Sequence, residues 1–99
     1  PGTHRQFAKY FEKQGADPEL KFGIPPVDLP QPVQIKAKAG DMIFAHYQLA
    51  HTAAANLSSA IRYAVYIRMH HADRPKDSLD VLTDIWKYWY GMSEVVRKD

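Results

Sequence analysis

Two apolar runs, at residues 42–47 and 61–69, are rich enough in aliphatic and aromatic side chains to form β-strands that are covered on both faces. A third segment, residues 33–38, alternates apolar and polar side chains, which is typical of a strand with one face in solvent. Gly40 and Asp41 follow that segment and predict a tight turn. Antiparallel strands connected so closely favour a sandwich or a barrel over a βαβ unit.

A helix is predicted before the strands, from about residue 4 to residue 14. Thr3 begins a Thr-x-x-Gln sequence with the spacing of a capping box, and Gly15 is placed to end the helix. The apolar side chains between them recur at intervals of three and four positions and belong to Phe7, Tyr10 and Phe11. The next recognisable segment, residues 23–32, contains four prolines, and we expect it to be an irregular surface connection because proline lacks an N–H donor.

A second helix is predicted after the strands. Asp77 or Ser78 would cap it, and Gly91 would end it. Its apolar face, again with intervals of three and four, consists of Leu82, Ile85, Trp86 and Trp89. We interpret the two tryptophans as core residues that pack against the sheet rather than as part of a cofactor site.

The length of 99 residues and the hydrophobic content of 45% fit one small domain. Because no initiating methionine is present and Pro-Gly-Thr is typical of a loop, we expect a single partial domain over residues 1–99, cut from a longer protein. Residues 1–32 would hold the helix and the proline-rich connection, residues 33–71 the strands that carry the site, and residues 72–99 the C-terminal helix.

Charge and composition exclude several classes of partner. The 13 Lys and Arg residues are scattered and nearly balanced by 11 Asp and Glu residues, whereas nucleic-acid binding needs clustered cations. The chain has no cysteine, so it forms no disulfide. Its apolar runs are far shorter than the ~20 residues of a membrane helix, and no cleavable signal is visible. We therefore expect no nucleic-acid or membrane partner and a cytoplasmic location.

His51 and Arg62 lie on either side of a loop of small residues between the two apolar runs. A neutral imidazole at the end of a strand is a good ligand for a borderline metal ion. The planar guanidinium of arginine binds a carboxylate through two hydrogen bonds, and its charge would be costly on a covered strand without such a partner. We expect both side chains to face one cavity, although a core histidine and an ion-paired surface arginine remain alternatives.

The stretch "GDMIFAHYQLAHTAAANLSSAIRYAVYIR" resembles the C-terminal part of the phytanoyl-CoA dioxygenase family. The family pattern has a Gly-Asp turn, an apolar strand, the last iron-binding histidine, a small-residue loop with an asparagine, and an arginine that binds the cosubstrate. The opening "PGTHR" is similar to the Pro-Gly-Ser-His-Arg loop that follows the first two iron ligands in that family. The resemblance covers residues 1 to about 69.

This resemblance implies a mainly β fold with flanking helices, the C-terminal portion of a double-stranded β-helix of the jelly-roll or cupin type. It also implies a non-haem Fe(II)/2-oxoglutarate-dependent dioxygenase that uses dioxygen to hydroxylate a small organic or acyl substrate while 2-oxoglutarate is converted to succinate and carbon dioxide. His51 would then bind Fe(II), and Arg62 would bind 2-oxoglutarate. The side chains that would line the site are His4, His46, Asn56 and Tyr66. His46 as a structural residue, His4 as a solvated one and Asn56 as a loop-forming one remain alternatives.

The chain also departs from the family pattern. The family's first two iron ligands form a His-x-Asp pair ahead of the Pro-Gly loop, whereas the His-x-Asp sequence of this chain, His71 to Asp73, follows His51 and is interpreted as a chance match. Ala64 stands where many 2-oxoglutarate enzymes carry a hydroxyl residue that helps to bind the cosubstrate. We therefore expect the isolated chain to be inactive.

Three hypotheses follow. The chain is part of an oxygenase whose other ligands lie in the rest of the parent protein, or part of a catalytically silent β-helix that binds a ligand. In the third hypothesis it is an interaction module that pairs with the rest of its parent or with itself through exposed strand edges.

Overall fold

A computed structural model describes residues 1–16 and 24–96 of the chain. Its regular elements are helix α1 (Thr3–Gln14), a 3-10 turn (Asp80–Leu82) and a short helix α2 (Met92–Val96). Two parts of the predictions lie outside the described residues. They are Gly23, the first residue of the proline-rich connection, and residues 97–99, the end of the predicted C-terminal helix. Residues 24–32 have no regular secondary structure, as their prolines predict.

The amphipathic helix α1 confirms the predicted N-terminal helix. It buries one face, which consists of Thr3, Phe7, Ala8 and Phe11. The helix ends at Gly15, whose φ of 80° suits a residue without a side chain and whose N–H donates to the Phe11 carbonyl at 2.9 Å. The predicted capping box is wrong, because Gly2 occupies the N-cap position without a side-chain cap bond and the Thr3 hydroxyl accepts instead from the Ala50 N–H at 2.9 Å.

The predicted β-fold is wrong, because residues 1–16 and 24–96 contain no β-strand. The turn expected at Gly40 and Asp41 does form, with a hydrogen bond of 3.1 Å from the Asp41 N–H to the Lys38 carbonyl. The segments on either side of it do not pair, however, and residues 61–69 also lack regular structure. A strand needs a partner for its backbone groups, and a lone two-stranded hairpin is marginal in water. The double-stranded β-helix is therefore absent from the described structure.

Tight turns replace most of the predicted C-terminal helix. Hydrogen bonds between residues three positions apart dominate from Leu79 onward, such as the one from the Trp89 N–H to the Trp86 carbonyl at 2.9 Å. Aromatic side chains crowd residues 86–90, and they lose rotamer freedom in a regular helix. Gly91 adopts a φ of 84° and separates these turns from α2.

The core lies where α1 packs against the 3-10 turn. Its buried apolar side chains are Phe7, Ala8 and Phe11 from α1 and Val81 and Ile85 from the C-terminal turns. Most large apolar side chains of residues 33–69 are exposed instead. No helix in the described part of the chain has both the length and the apolar character to cross a membrane.

Candidate functional site

Asn56 organises the loop between His51 and Arg62. Its side-chain amide donates to the Ala60 carbonyl at 2.6 Å, and its side-chain oxygen accepts from the Ser58 N–H at 3.2 Å and the Ser58 hydroxyl at 2.8 Å. Asparagine commonly forms such local bonds in turns, because its short side chain mimics a backbone peptide. The loop therefore has a defined turn even though its side chains are exposed.

His51 is held in one tautomer at the start of this loop. Its Nδ1 lies 2.7 Å from the Leu49 carbonyl oxygen, which can only accept a hydrogen bond. In the neutral ring Nδ1 therefore carries the proton, and Nε2 has a free lone pair. Metal-binding histidines commonly use the same arrangement, in which the second ring nitrogen donates to a carbonyl or a carboxylate.

Arg62 contacts the opposite arm of the loop. Its Nη2 donates to the Ala54 carbonyl at 3.4 Å, which is long for a hydrogen bond. The side chain is exposed, and in the part of the chain that the structure describes its guanidinium forms no ion pair. This guanidinium is therefore accessible to an anionic ligand in solvent.

The described residues do not form a complete metal centre. Within residues 1–16 and 24–96, no group of three or more His, Cys, Asp or Glu side chains is placed to hold a metal ion. His51 fits as one ligand, but a facial triad needs two histidines and a carboxylate. The local His-x-Asp sequence makes its own contact, in which the Asp73 N–H donates to Nδ1 of His71 at 3.2 Å.

The structure brings the rings of His4 and His46 together. Among the described residues, neither ring contacts Asn56. Their ring centroids are 5.3 Å apart, and Trp86 contacts both rings at centroid distances of 5.9 Å and 4.8 Å. Trp89 stacks on His46 at 5.7 Å. These four rings, the His–Trp cluster, join α1 to the C-terminal turns.

The hydrogen bonds of His46 fix it as a neutral ring. Its Nε2 donates to the Ile85 carbonyl at 2.9 Å, and its Nδ1 accepts from the Gln48 N–H at 3.2 Å. Burial lowers the pKa of His46, and the bond to Ile85 opposes that shift. Burial also lowers the pKa of His4, with smaller contributions from the charges of His46, Arg5 and the N-terminus. Both ring nitrogens of His46 are therefore engaged in hydrogen bonds, which leaves neither free for a metal ion.

Tyr66, the remaining predicted site residue, stands apart from these groups. It is 76% exposed on the unpaired segment 61–69. Its exposure follows from the missing strand pairing, which leaves both faces of this segment in solvent.

A cleft of about 290 Å³ lies between residues 69–71 and the C-terminal turns, and neither His51 nor Arg62 lines it. Its wall includes Tyr47, with the guanidinium carbon of Arg74 5.2 Å from the centroid of the tyrosine ring. Sequence reasoning missed this cleft, because Tyr47 and Arg74 are brought together only by the packing of distant segments. The single signal in the sequence was the aromatic content of residues 86–90.

No protein-family model, no curated protein and no solved structure matches this chain. The likeness to the phytanoyl-CoA dioxygenase family therefore stays a prediction from the sequence motifs.

Proposed function

We propose that this chain contributes one iron ligand and the cosubstrate-binding arginine to a non-haem Fe(II)/2-oxoglutarate-dependent dioxygenase. The observation that carries the proposal is the hydrogen bond from Nδ1 of His51 to the Leu49 carbonyl at 2.7 Å. It leaves Nε2 free for Fe(II) and fixes the orientation of the ring. The order of His51, Asn56 and Arg62 in the sequence adds support through the family resemblance.

His51 and Arg62 have separate roles in this proposal. Nε2 of His51 would bind Fe(II), and the exposed guanidinium of Arg62 would bind a carboxylate of 2-oxoglutarate through charge-assisted hydrogen bonds. Bound Fe(II), with 2-oxoglutarate and dioxygen as co-reactants, would supply the oxidation of a C–H bond in a small-molecule substrate. The other two iron ligands would come from outside the described residues, since these residues do not complete a metal centre. A cytoplasmic location goes with this proposal.

The test of Arg62 uses the natural polypeptide that contains this chain, loaded anaerobically with Fe(II). Titration with 2-oxoglutarate is followed through the visible charge-transfer band of the chelate. Arg62→Ala should weaken binding by about 1.5–3 kcal/mol, or about 10- to 150-fold, because hydrogen bonds to a charged group are lost. Arg68→Ala is the matched control, since Arg68 is an exposed arginine of the same segment. An equal affinity in both variants contradicts the role of Arg62.

The test of His51 measures bound iron. His51→Ala should lose Fe(II) while the circular dichroism of the protein is retained, because the His51 side chain is exposed. His70→Ala, which removes another exposed imidazole, should retain the metal. If His51→Ala binds as much iron as the unchanged protein, the oxygenase proposal fails.

A second candidate function, an interaction module, is favoured by the unpaired apolar segment 61–69. The exposed fraction of its side chains reaches 88% at Val65. No backbone–backbone hydrogen bond involves residues 51–70 in the described structure. We propose that this segment gains backbone partners from the remainder of a parent protein or from a second copy. A sedimentation coefficient that rises with protein concentration would support the second copy.

A further inference from the structure

We propose that the cleft beside Tyr47 and Arg74 binds a small monocarboxylate with an aromatic or similarly flat apolar body. This site is separate from His51 and Arg62 and does not depend on the dioxygenase proposal. Arg74 lines the cleft and is only partly exposed.

The guanidinium of Arg74 has no acceptor in the described structure. Its guanidinium carbon lies over the ring of Tyr47, at 5.2 Å from the centroid, and its side chain forms no hydrogen bond or ion pair with residues 1–16 or 24–96. An arginine has five N–H donors and a geometry that matches a carboxylate. A partly buried guanidinium that lies over an aromatic ring and lacks an acceptor is therefore suited to an anionic ligand.

The other charges at the cleft limit the ligand to one negative charge. The Lys87 ammonium is already paired with the Asp80 carboxylate. Asp84 also lines the cleft and would repel a second anionic group. His70 and His71 also line the cleft, and Nδ1 of His71 is 3.4 Å from the Asp73 carboxylate. These charges favour a monocarboxylate over a dicarboxylate or a phosphate.

The walls of the cleft set the size and character of the rest of the ligand. They consist largely of apolar and aromatic groups, among them Met69, Val81, Ile85 and Trp89. The volume of about 290 Å³ corresponds to about ten non-hydrogen atoms at ~30 Å³ for each water-sized group. A benzene ring with a short carboxylate chain has this size.

The test is an NMR titration of the full chain with 3-phenylpropionate, with 3-phenyl-1-propanol as the neutral probe and phenylmalonate as the dianionic one. We expect 3-phenylpropionate to shift the indole N–H signal of Trp89 and the side-chain signals of Arg74 with a dissociation constant on the order of 1 mM. The alcohol and the dianion should each bind at least about tenfold more weakly, because the first lacks the charge and the second faces Asp84.

Arg74→Gln should weaken the binding of 3-phenylpropionate by about tenfold or more. Arg68→Gln, which removes an exposed arginine that does not line the cleft, should leave it unchanged. The Tyr47 and Trp89 signals of the ligand-free variants show whether the cleft is intact. If Arg74→Gln disturbs the cleft, Arg74→Lys is the second variant, and because it keeps the positive charge it should retain part of the affinity. Equal binding of the acid and the alcohol, full affinity in an intact Arg74→Gln variant, or shifts confined to residues 42–45 and 61–67 would each overturn the proposal.

Discussion

Thr3 connects the first turn of α1 to the residue that precedes His51. Its side chain is 5% exposed, and its hydroxyl accepts the Ala50 N–H at 2.9 Å. Thr3→Val keeps the shape of the side chain but removes this acceptor. We expect a loss of about 1–3 kcal/mol in the free energy of unfolding, because the Ala50 N–H is left without a partner. Amide hydrogen exchange at Ala50 should become faster.

The matched control at this position is Thr3→Ser, which retains the hydroxyl. It should keep the slow exchange at Ala50 and lose little stability. If Thr3→Val exchanges at Ala50 as slowly as the unchanged chain, the hydrogen bond does not hold the start of the His51 loop against α1.

The His–Trp cluster makes the stability of the fold dependent on pH. Burial lowers the pKa of His46 and of His4 below 6.5, the ordinary pKa of a histidine. Between these lowered pKa values and 6.5, the unfolded chain binds more protons than the folded chain. The free energy of unfolding therefore rises with pH in this window, and the folded state loses stability as the pH falls through it. Protonation would also turn Nδ1 of His46 into a donor that faces the Gln48 N–H.

Urea unfolding followed by circular dichroism at a series of pH values from about 7.5 down to about 5 checks this prediction. The groups around His46 are His4, Trp86, Trp89 and Tyr47, with Arg5 acting on His4. We expect His46→Gln to flatten the acid-side decline, whereas His70→Gln, outside the cluster, should preserve it. An NMR titration of the His46 ring gives a direct second readout. A free energy of unfolding that stays constant across this range contradicts the prediction.

At the scale of elements, α1 depends on its contact with the 3-10 turn. Phe7 and Phe11 are each 6% exposed, and isolated helices of about 12 residues are marginal in water. Phe7→Ala leaves a cavity in the core, a change that typically costs about 3–5 kcal/mol. Because this core is small, we expect most of the helical circular dichroism to be lost.

The control for this element is Lys9→Ala, an exposed change on the opposite side of α1 that should alter stability by no more than about 0.5 kcal/mol. Thermal melts of both variants measure the difference. If Phe7→Ala retains the helix with an unchanged melting temperature, the contact with the 3-10 turn does not stabilise α1.

The sequence predicts an element correctly where the hydrogen bonds of that element join residues close together in the chain, and incorrectly where they need distant partners. Helix α1 could be predicted from the spacing of Phe7 and Phe11 and from Gly15, because a helix makes its backbone hydrogen bonds within its own segment. Asn56 and the turn at Gly40 likewise form hydrogen bonds to residues only a few positions away. The predicted strands require hydrogen-bond partners that lie elsewhere in sequence, and the described residues do not provide them. The contact of Arg74 with Tyr47 left no sequence signal for the same reason.

The whole molecule is less compact than a typical domain of its length. Its radius of gyration is 15.7 Å, against about 13 Å for a compact domain of 100 residues. The buried side chains gather around α1 and the C-terminal turns, while the apolar side chains of residues 42–44 and 61–69 remain exposed. This distribution means that a large part of the apolar surface is available to another polypeptide.

We expect the chain to associate with itself through residues 61–69 as its concentration rises. Val65 is 88% exposed, and burial of such side chains contributes about 25 cal/mol for each Å² of apolar surface. Val65→Lys should weaken the association, because a lysine on an unpaired strand-like segment opposes pairing with another chain. Sedimentation velocity over a concentration series measures the effect.

Leu57→Lys is the matched control, since Leu57 is 96% exposed and the change adds the same charge within the loop that Asn56 organises. It should leave the concentration dependence intact, because the association depends on the apolar segment rather than on net charge. If Leu57→Lys and Val65→Lys weaken association equally, charge repulsion explains the effect. A chain that stays monomeric throughout the series would mean that residues 61–69 do not pair with a second copy.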